Sequence, residues 1–407
     1  MVAEQVAHRR WLNGEGTRLL DFAEHSAVDG GFGWLDDSGN VDDERGVELW
    51  ITARMTHCFA LAHLRGRHGA FDLLNHGMEA LVGPLRDHEH GGWFARIGGS
   101  VGSDHSKAFY AHAFAILAAS SATAAGHPDG QSLLDHALHV VDEHFWDEEA
   151  SLGRESFNAA WDGGEDYRGA NANMHAVEAY LAAADVTGRP DLLERAVNIA
   201  QRVVDGFARE HGWMLPEHYT ATWEPVLDYN AGDPAHPFRP YGVTIGHLFE
   251  WSRLVLSVDA AAKRMGLDGT DWALPAAKAL YRTGVRAGWA ADGAPGFVYT
   301  VDFEGQPVVA ERMHWVVAEA IGAAVALWQR TGEYTYTNDY VAWWDYVRTT
   351  LIDVDGGSWW HEVDAEGAPS RTVWHGKPDI YHAYQATLFV QLPLSPSFAT
   401  ALRQASA

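Results

Sequence analysis

The sequence predicts an all-α protein, an (α/α)6 barrel of six helical hairpins with short extended segments in the loops. Three observations carry that reading. A glycine-marked aromatic and extended motif recurs at Gly30, Gly91, Leu152, Gly212, Gly296 and Gly356, in steps of 61, 61, 60, 84 and 60 residues. Ala- and Leu-rich stretches of 3.6-residue period lie in pairs between these marks, without the strand–helix–strand alternation of a parallel sheet. The last stretch, DIYHAYQATLFVQLPL, is as apolar as the middle ones, which suits a closed ring and not an open solenoid with polar end caps.

The first hairpins pair 4–26 with 46–66, 71–85 with 107–125, and 131–145 with 171–187. The others pair 190–210 with 242–265, 271–287 with 312–331, and 335–352 with 379–403. Arg189-Pro190-Asp191 and Gly130-Gln131-Ser132 are helix-start signals. The long step holds an aromatic, Pro-rich insertion at 219–240. The whole chain, 1–407, is read as one catalytic barrel domain.

Composition narrows the function. The 29 Lys and Arg stand against 55 Asp and Glu, a net charge of −26, which repels nucleic acid and anionic membranes. No run approaches the ~18 apolar residues of a membrane span. The opening residues lack an apolar signal core, so a cytoplasmic location is expected. A single cysteine, Cys58, permits neither an internal disulfide nor a Cys-based zinc cluster. Aromatics are in excess, with 18 Trp, 14 Tyr and 16 Phe, and aromatic walls with polar tips suit sugars.

Candidate site residues come from the second helix of each pair. Trp50 and Arg54, Tyr110 and His112, Asn171 and His175, His247 and Glu250, His314 and Trp315, and His382 each stand amid apolar neighbours near one place in the unit. Single polar residues at helix starts are usually caps or surface positions; six in phase, with several imidazoles and a guanidinium, point to a shared pocket. Asn171 and His175 share a helix face, as do His247 and Glu250, so Glu250 is expected to orient the His247 ring. A zinc site is the alternative for several His and a Glu, but HExxH and HxH spacings are absent from these helices. The DHEHGG run at 87–92 resembles metal ligands yet falls in a Gly-marked loop and reads as solvated. GxGxxG does not occur, and Gly98-Gly99 and Gly102 lack the following strand–helix context, so neither a nucleotide site nor a GxSxG nucleophile elbow is expected. Neither metal nor cofactor is therefore expected. Glu250 is the one clear inner carboxylate of the series, which disfavours two-carboxylate glycoside hydrolysis.

The segments NANMHAVEAY (171–180), HPFRPYGVTIGHLFEWSRL (236–254) and WHGKPDIYHAYQATL (374–388) resemble the N-acylglucosamine 2-epimerase superfamily, in its mannose and sulfoquinovose isomerase branch. The resemblance implies an (α/α)6 barrel that interconverts sugars at C1 and C2 without metal or nucleotide. It implies catalytic roles for His382, His247, Glu250, Arg54 and His175, and substrate contacts for Tyr110, Asn171, Trp315, Trp50 and Gln385. Gln385 and Ala386 after the last His, where epimerases generally carry an Arg a few residues on, favour aldose–ketose isomerisation over 2-epimerisation. The expected reaction is D-mannose to D-fructose, with lyxose as a side substrate and a monosaccharide as the one partner; assembly into homo-oligomers is left open. Sulfoquinovose is the alternative, with Arg239 or Lys377 as sulfonate partners, and a sugar 2-epimerase is another.

Overall fold

The computed structural model describes residues 2–406. Thirteen α-helices occur among them: α1 (Val2–Ala23), α2 (Leu49–Leu64), α3 (Ala70–Val82), α4 (Phe109–Ala124), α5 (Gly130–Val140), α6 (Ala170–Thr187) and α7 (Pro190–Ala200), then α8 (Ile245–Met265), α9 (Ala273–Gly288), α10 (His314–Thr331), α11 (Tyr334–Tyr346), α12 (Tyr381–Leu388) and α13 (Phe398–Ser406). Even-numbered helices α2 to α12 form an inner ring in which each packs on the next, and α12 returns to α2. Burial separates the layers. Inner helices are buried on nearly every side, α4 from Phe109 through Ser121 with the one interruption at Tyr110, whereas α5 and α7 bury only one face. A helix apolar all round must be enclosed, and a striped one lies at the surface. The ring is an (α/α)6 barrel.

Short antiparallel ladders stitch the units together. The residues just before an inner helix pair with the extended segment of the following unit: Val47 with Ile97, Lys107 with Phe157, Arg168 with Tyr219, Val243 with Val301, and Arg312 with Val363. The first and last units meet through Lys377 N donating to Leu35 O at 2.8 Å and Trp34 Nε1 donating to His375 O at 3.2 Å. These contacts close the circle at the loop end, where the site lies.

One predicted element is corrected. The stretch 379–403 is not a single helix: α12 ends at Leu388, a 3-10 turn covers Phe389–Gln391, and a new helix starts at Phe398. Pro393 and Pro396 lie in the break, and proline lacks the donor a continuing helix needs. The chain turns there, so that α13 packs on α2, α4 and α6. In the loop at 87–92, His88, Glu89 and His90 are exposed as expected, and Asp87 is the second correction. Asp87 is buried, accepts Lys107 Nζ at 2.7 Å and caps the amides of Glu89 and His90 at 3.0 Å. It is a turn anchor, not a solvated acid.

Candidate active site

Nine of the ten residues expected at the site line one pocket at the loop end of the barrel: Trp50, Arg54, Tyr110, Asn171, His175, His247, Glu250, Trp315 and His382. Their positions in the first two turns of α2, α4, α6, α8, α10 and α12 explain the convergence, since equivalent starts in a closed ring point at one axis. Gln385 is the exception. It is fully buried beneath the pocket, its Nε2 lying 3.3 Å from His57 Nε2 and 3.4 Å from Glu178 Oε1. One turn beyond His382, it is carried below the cavity, so it is a packing residue. His112 likewise leaves the site: its Nε2 accepts the Trp93 amide at 3.2 Å.

Arg54 is the fixed cation. Its Nη1 donates to Asp379 Oδ2 at 3.2 Å and its Nη2 to the Tyr110 hydroxyl at 2.7 Å. The rings of Phe114, Tyr381 and Trp50 lie 4.4, 4.8 and 5.0 Å from the guanidinium carbon. Burial disfavours its charge, but Tyr110 and Asp379 outweigh that and move its pKa further up. Asp379 also accepts the Tyr381 amide at 2.8 Å, so one carboxylate anchors Arg54 and the start of α12.

The expected pairing of His247 with Glu250 is overturned. His247 Nδ1 bonds Glu217 Oε1 at 2.9 Å, a carboxylate from the extended stretch ahead of α8. Glu250 turns inward instead. Its Oε1 lies 3.7 Å from His175 Nδ1 and 3.7 Å from Arg253 Nη2, without a hydrogen bond. Three residues along a helix share a face only loosely, and here that difference divides pocket wall from floor. His382 has its own acid: Nδ1 bonds Glu319 Oε1 at 2.9 Å, and Glu319 Oε2 accepts Arg253 Nε at 2.9 Å. An ionised carboxylate only accepts, so each Nδ1 carries a proton and donates it.

Beneath these rings lie three buried carboxyls, Glu178, Glu250 and Glu319, around the single guanidinium of Arg253. Burial and the neighbouring Glu319 push Glu250 well above the usual carboxylate range. Glu319 is also raised by burial, with Arg253 opposing. Glu319 holds the direct Arg253 bond, so Glu250 keeps the proton of the pair. Burial would raise Glu178 too, but His175, Arg253 and the donating Tyr381 hydroxyl hold it low. Burial lowers His175 to about 4 and His382 well below its ordinary value, leaving both imidazoles neutral.

Two sets of side chains converge closely enough to ligate a cation: His175, Glu178 and Glu250, and Glu250, Glu319 and His382. Neither suits one. In the second, Nδ1 of His382 is spent on Glu319, and Arg253 occupies the other oxygen. In the first, the Arg253 guanidinium stands 3.7 Å from Glu250 as a competing cation.

Sequence reasoning missed Glu217, Glu319, Asp379, Glu178 and His361. Glu178 had a signal, since it follows His175 by three as Glu250 follows His247. Glu217 lies outside any helix, where no periodicity marks it. His361 stacks on His314 with ring centroids 3.8 Å apart, and both rings line the pocket. The two cations named for a sulfonate are engaged elsewhere. Arg239 donates to both oxygens of Glu165 at 2.6 and 2.9 Å, and Lys377 is buried against Asp353 at 2.6 Å.

The N-acylglucosamine 2-epimerase family model matches residues 30–386, across all six repeats. The chain belongs to the N-acylglucosamine 2-epimerase family. It is 52% identical over 404 residues to D-mannose isomerase of Thermobifida fusca, covering 98% of each chain. It is 49% identical over 396 residues to D-mannose isomerase of Pseudomonas cannabina pv. alisalensis, covering 97% of this chain and 95% of that one. A crystal structure of D-mannose isomerase superposes with a TM-score of 0.87 at 29% identity, over 94% of this chain and 97% of the other. Cellobiose 2-epimerase from Spirochaeta thermophila shares the barrel at a TM-score of 0.82 and 20% identity, over 99% of this chain and 98% of its own. The two solved structures thus share this chain's barrel at different levels of identity.

Proposed function

We propose that this protein is an aldose–ketose isomerase that interconverts D-mannose and D-fructose. The observation that carries the reading is the pair of imidazoles, His247 and His382, each held through Nδ1 at 2.9 Å by its own carboxylate. Both share a pocket with the fixed cation Arg54. The identity to D-mannose isomerases over nearly the full length supports the choice of sugar.

The C2–H of a hexose is acidic only in the open chain, where the C1 carbonyl accepts the charge as an enediolate. His247 assists ring opening. The neutral Nε2 of His382 takes the C2 proton, the C–H electrons form the C1–C2 double bond, and the carbonyl pair moves to O1 beside Arg54. His247 moves the proton from O2 to O1, and His382 returns its proton to C1, giving the ketose. Asn171 and His175 hold hydroxyls, while Tyr110, Trp50 and Trp315 wall the sugar. No step requires a metal, so exhaustive EDTA dialysis should leave the rate unchanged; loss restored by a divalent ion would contradict this.

The test is a panel of mannose, glucose, lyxose, sulfoquinovose and cellobiose with products identified by NMR. Fructose from mannose, with slower xylulose from lyxose, is expected. Glucose appearing ahead of fructose would instead indicate two-base epimerisation.

A further inference from the structure

The 219–240 insertion has an unassigned tip. Phe238 is 41% exposed, whereas His175, His247 and His382 below it are 4%, 8% and 6% exposed. Its ring stands edge-on to Trp374, Tyr110 and Trp50 at centroid distances of 5.1, 5.9 and 6.2 Å. The backbone carrying it is clamped. Next to it, Arg239 grips both oxygens of Glu165 and lies 4.0 Å above the Tyr167 ring. Arg239 O accepts Asn230 Nδ2 at 2.7 Å, and Pro240 O accepts His218 Nε2 at 2.8 Å. Gly242 then turns with φ +90°, where a Cβ would meet Val301 O at 2.3 Å. Phe238 is therefore held over the mouth by a rigid bracket.

We propose that Phe238, together with Trp374, limits the pocket to one sugar ring and excludes sugars bearing a second ring on O4. The proposal rests on the isomerase reading of the pocket floor. With C1 and C2 at His247 and His382, C4 lies across the sugar and faces the mouth. A ring attached there must displace the phenyl or bury hydroxyls against C–H edges that accept no hydrogen bond, and unpaired buried hydroxyls are costly. The barrel itself does not impose this limit, since a cellobiose 2-epimerase shares it.

The test compares wild type, Phe238→Ala and Phe238→Leu on mannose and on β-1,4-linked mannobiose, with binding of each sugar followed by tryptophan fluorescence. Wild type and Phe238→Leu, which keeps the bulk, should convert mannose and spare mannobiose. Phe238→Ala should raise kcat/KM for mannobiose by about tenfold or more, as removing a steric barrier allows, while its KM for mannose rises. Comparable wild-type turnover of both sugars overturns the proposal, as does an Ala variant active on mannose alone. If wild type converts neither sugar, the isomerase reading fails separately. Binding then decides the cap: a preference for mannose that vanishes in Phe238→Ala supports it, and one that persists refutes it.

Discussion

Charge at single residues decides what each can do. Glu217 and Glu319 each accept one imidazole Nδ1–H at 2.9 Å, and replacing either by Gln keeps a bonding partner but removes the charge that stabilises an imidazolium. Turnover should fall about 10- to 100-fold, as when partners of functional imidazoles are lost, with little change in KM; a matched rise in KM would mean a binding role. Glu250 is different. Gln mimics its neutral form, so Glu250→Gln should melt near wild type. Turnover should also stay within a few-fold of wild type, because no proton step of the proposed reaction passes through Glu250; a drop of about 10²-fold would make it a proton relay. His382→Asn should bind mannose yet fail to exchange the C2 proton with solvent. In wild type, some label from [2-²H]mannose should reach C1 of fructose. C2 exchange surviving in that variant would transfer the carbon base to His247. These acids also mark where sequence reading stopped. Imidazoles in helical phase were visible as a set, whereas their partners come from other helices and an extended strand, a relation fixed only by three-dimensional packing.

At the scale of elements, α8 and α10 approach so closely that a Cβ at Gly246 would lie 2.1 Å from the Trp315 ring. Trp315 in turn faces His247 at 5.3 Å and His382 at 5.6 Å. Gly246→Ala should therefore displace the indole, costing about 1–3 kcal/mol by overpacking and reducing activity more than stability alone explains. Urea unfolding beside turnover checks this; unchanged values for both would show that the helices simply part. The inner and outer helices were legible because burial all round and burial on one face leave different patterns. The ladders between units were not, because two-residue strands carry too little pattern. The break after α12 needed Pro393 and Pro396 to be weighed above the apolar run around them.

Across the whole molecule, buried titratable groups set the response to acid. His57, His175 and His314 are lowered to about 4 and His112 to about 3, while His361 and His382 lie well below the ordinary value, all chiefly through burial. Unfolding lets these rings bind protons once pH falls below about 6.5. Between that value and about 4 the unfolded state therefore holds the extra protons, and stability falls with pH. Glu155, raised to about 7 by burial, and Glu250 and Glu319, also raised, act in the opposite sense by binding protons in the folded state. With His8, His127, His136, His144 and His218 also lowered and Glu48 and Asp185 also raised, eleven imidazoles outweigh five carboxyls. Tm should drop steadily from pH 7 to pH 5, and a flat or rising Tm would mean that the rings are charged when folded.

The meeting of the first and last units has a consequence for how the protein is made. Trp34 and Leu35 bond to the 375–377 segment, and His382 and Asp379 follow it directly. On the ribosome, five units can stack while the sixth is still inside the exit tunnel, since domains begin to fold during synthesis. That intermediate is an open crescent whose apolar inner helices line an unsealed seam. Competence and closure then arrive in one event, when the residues that seal the seam emerge with those that complete the pocket. A nascent chain stalled before residue 375 should consequently be captured by chaperones, and release of a short further stretch should free it.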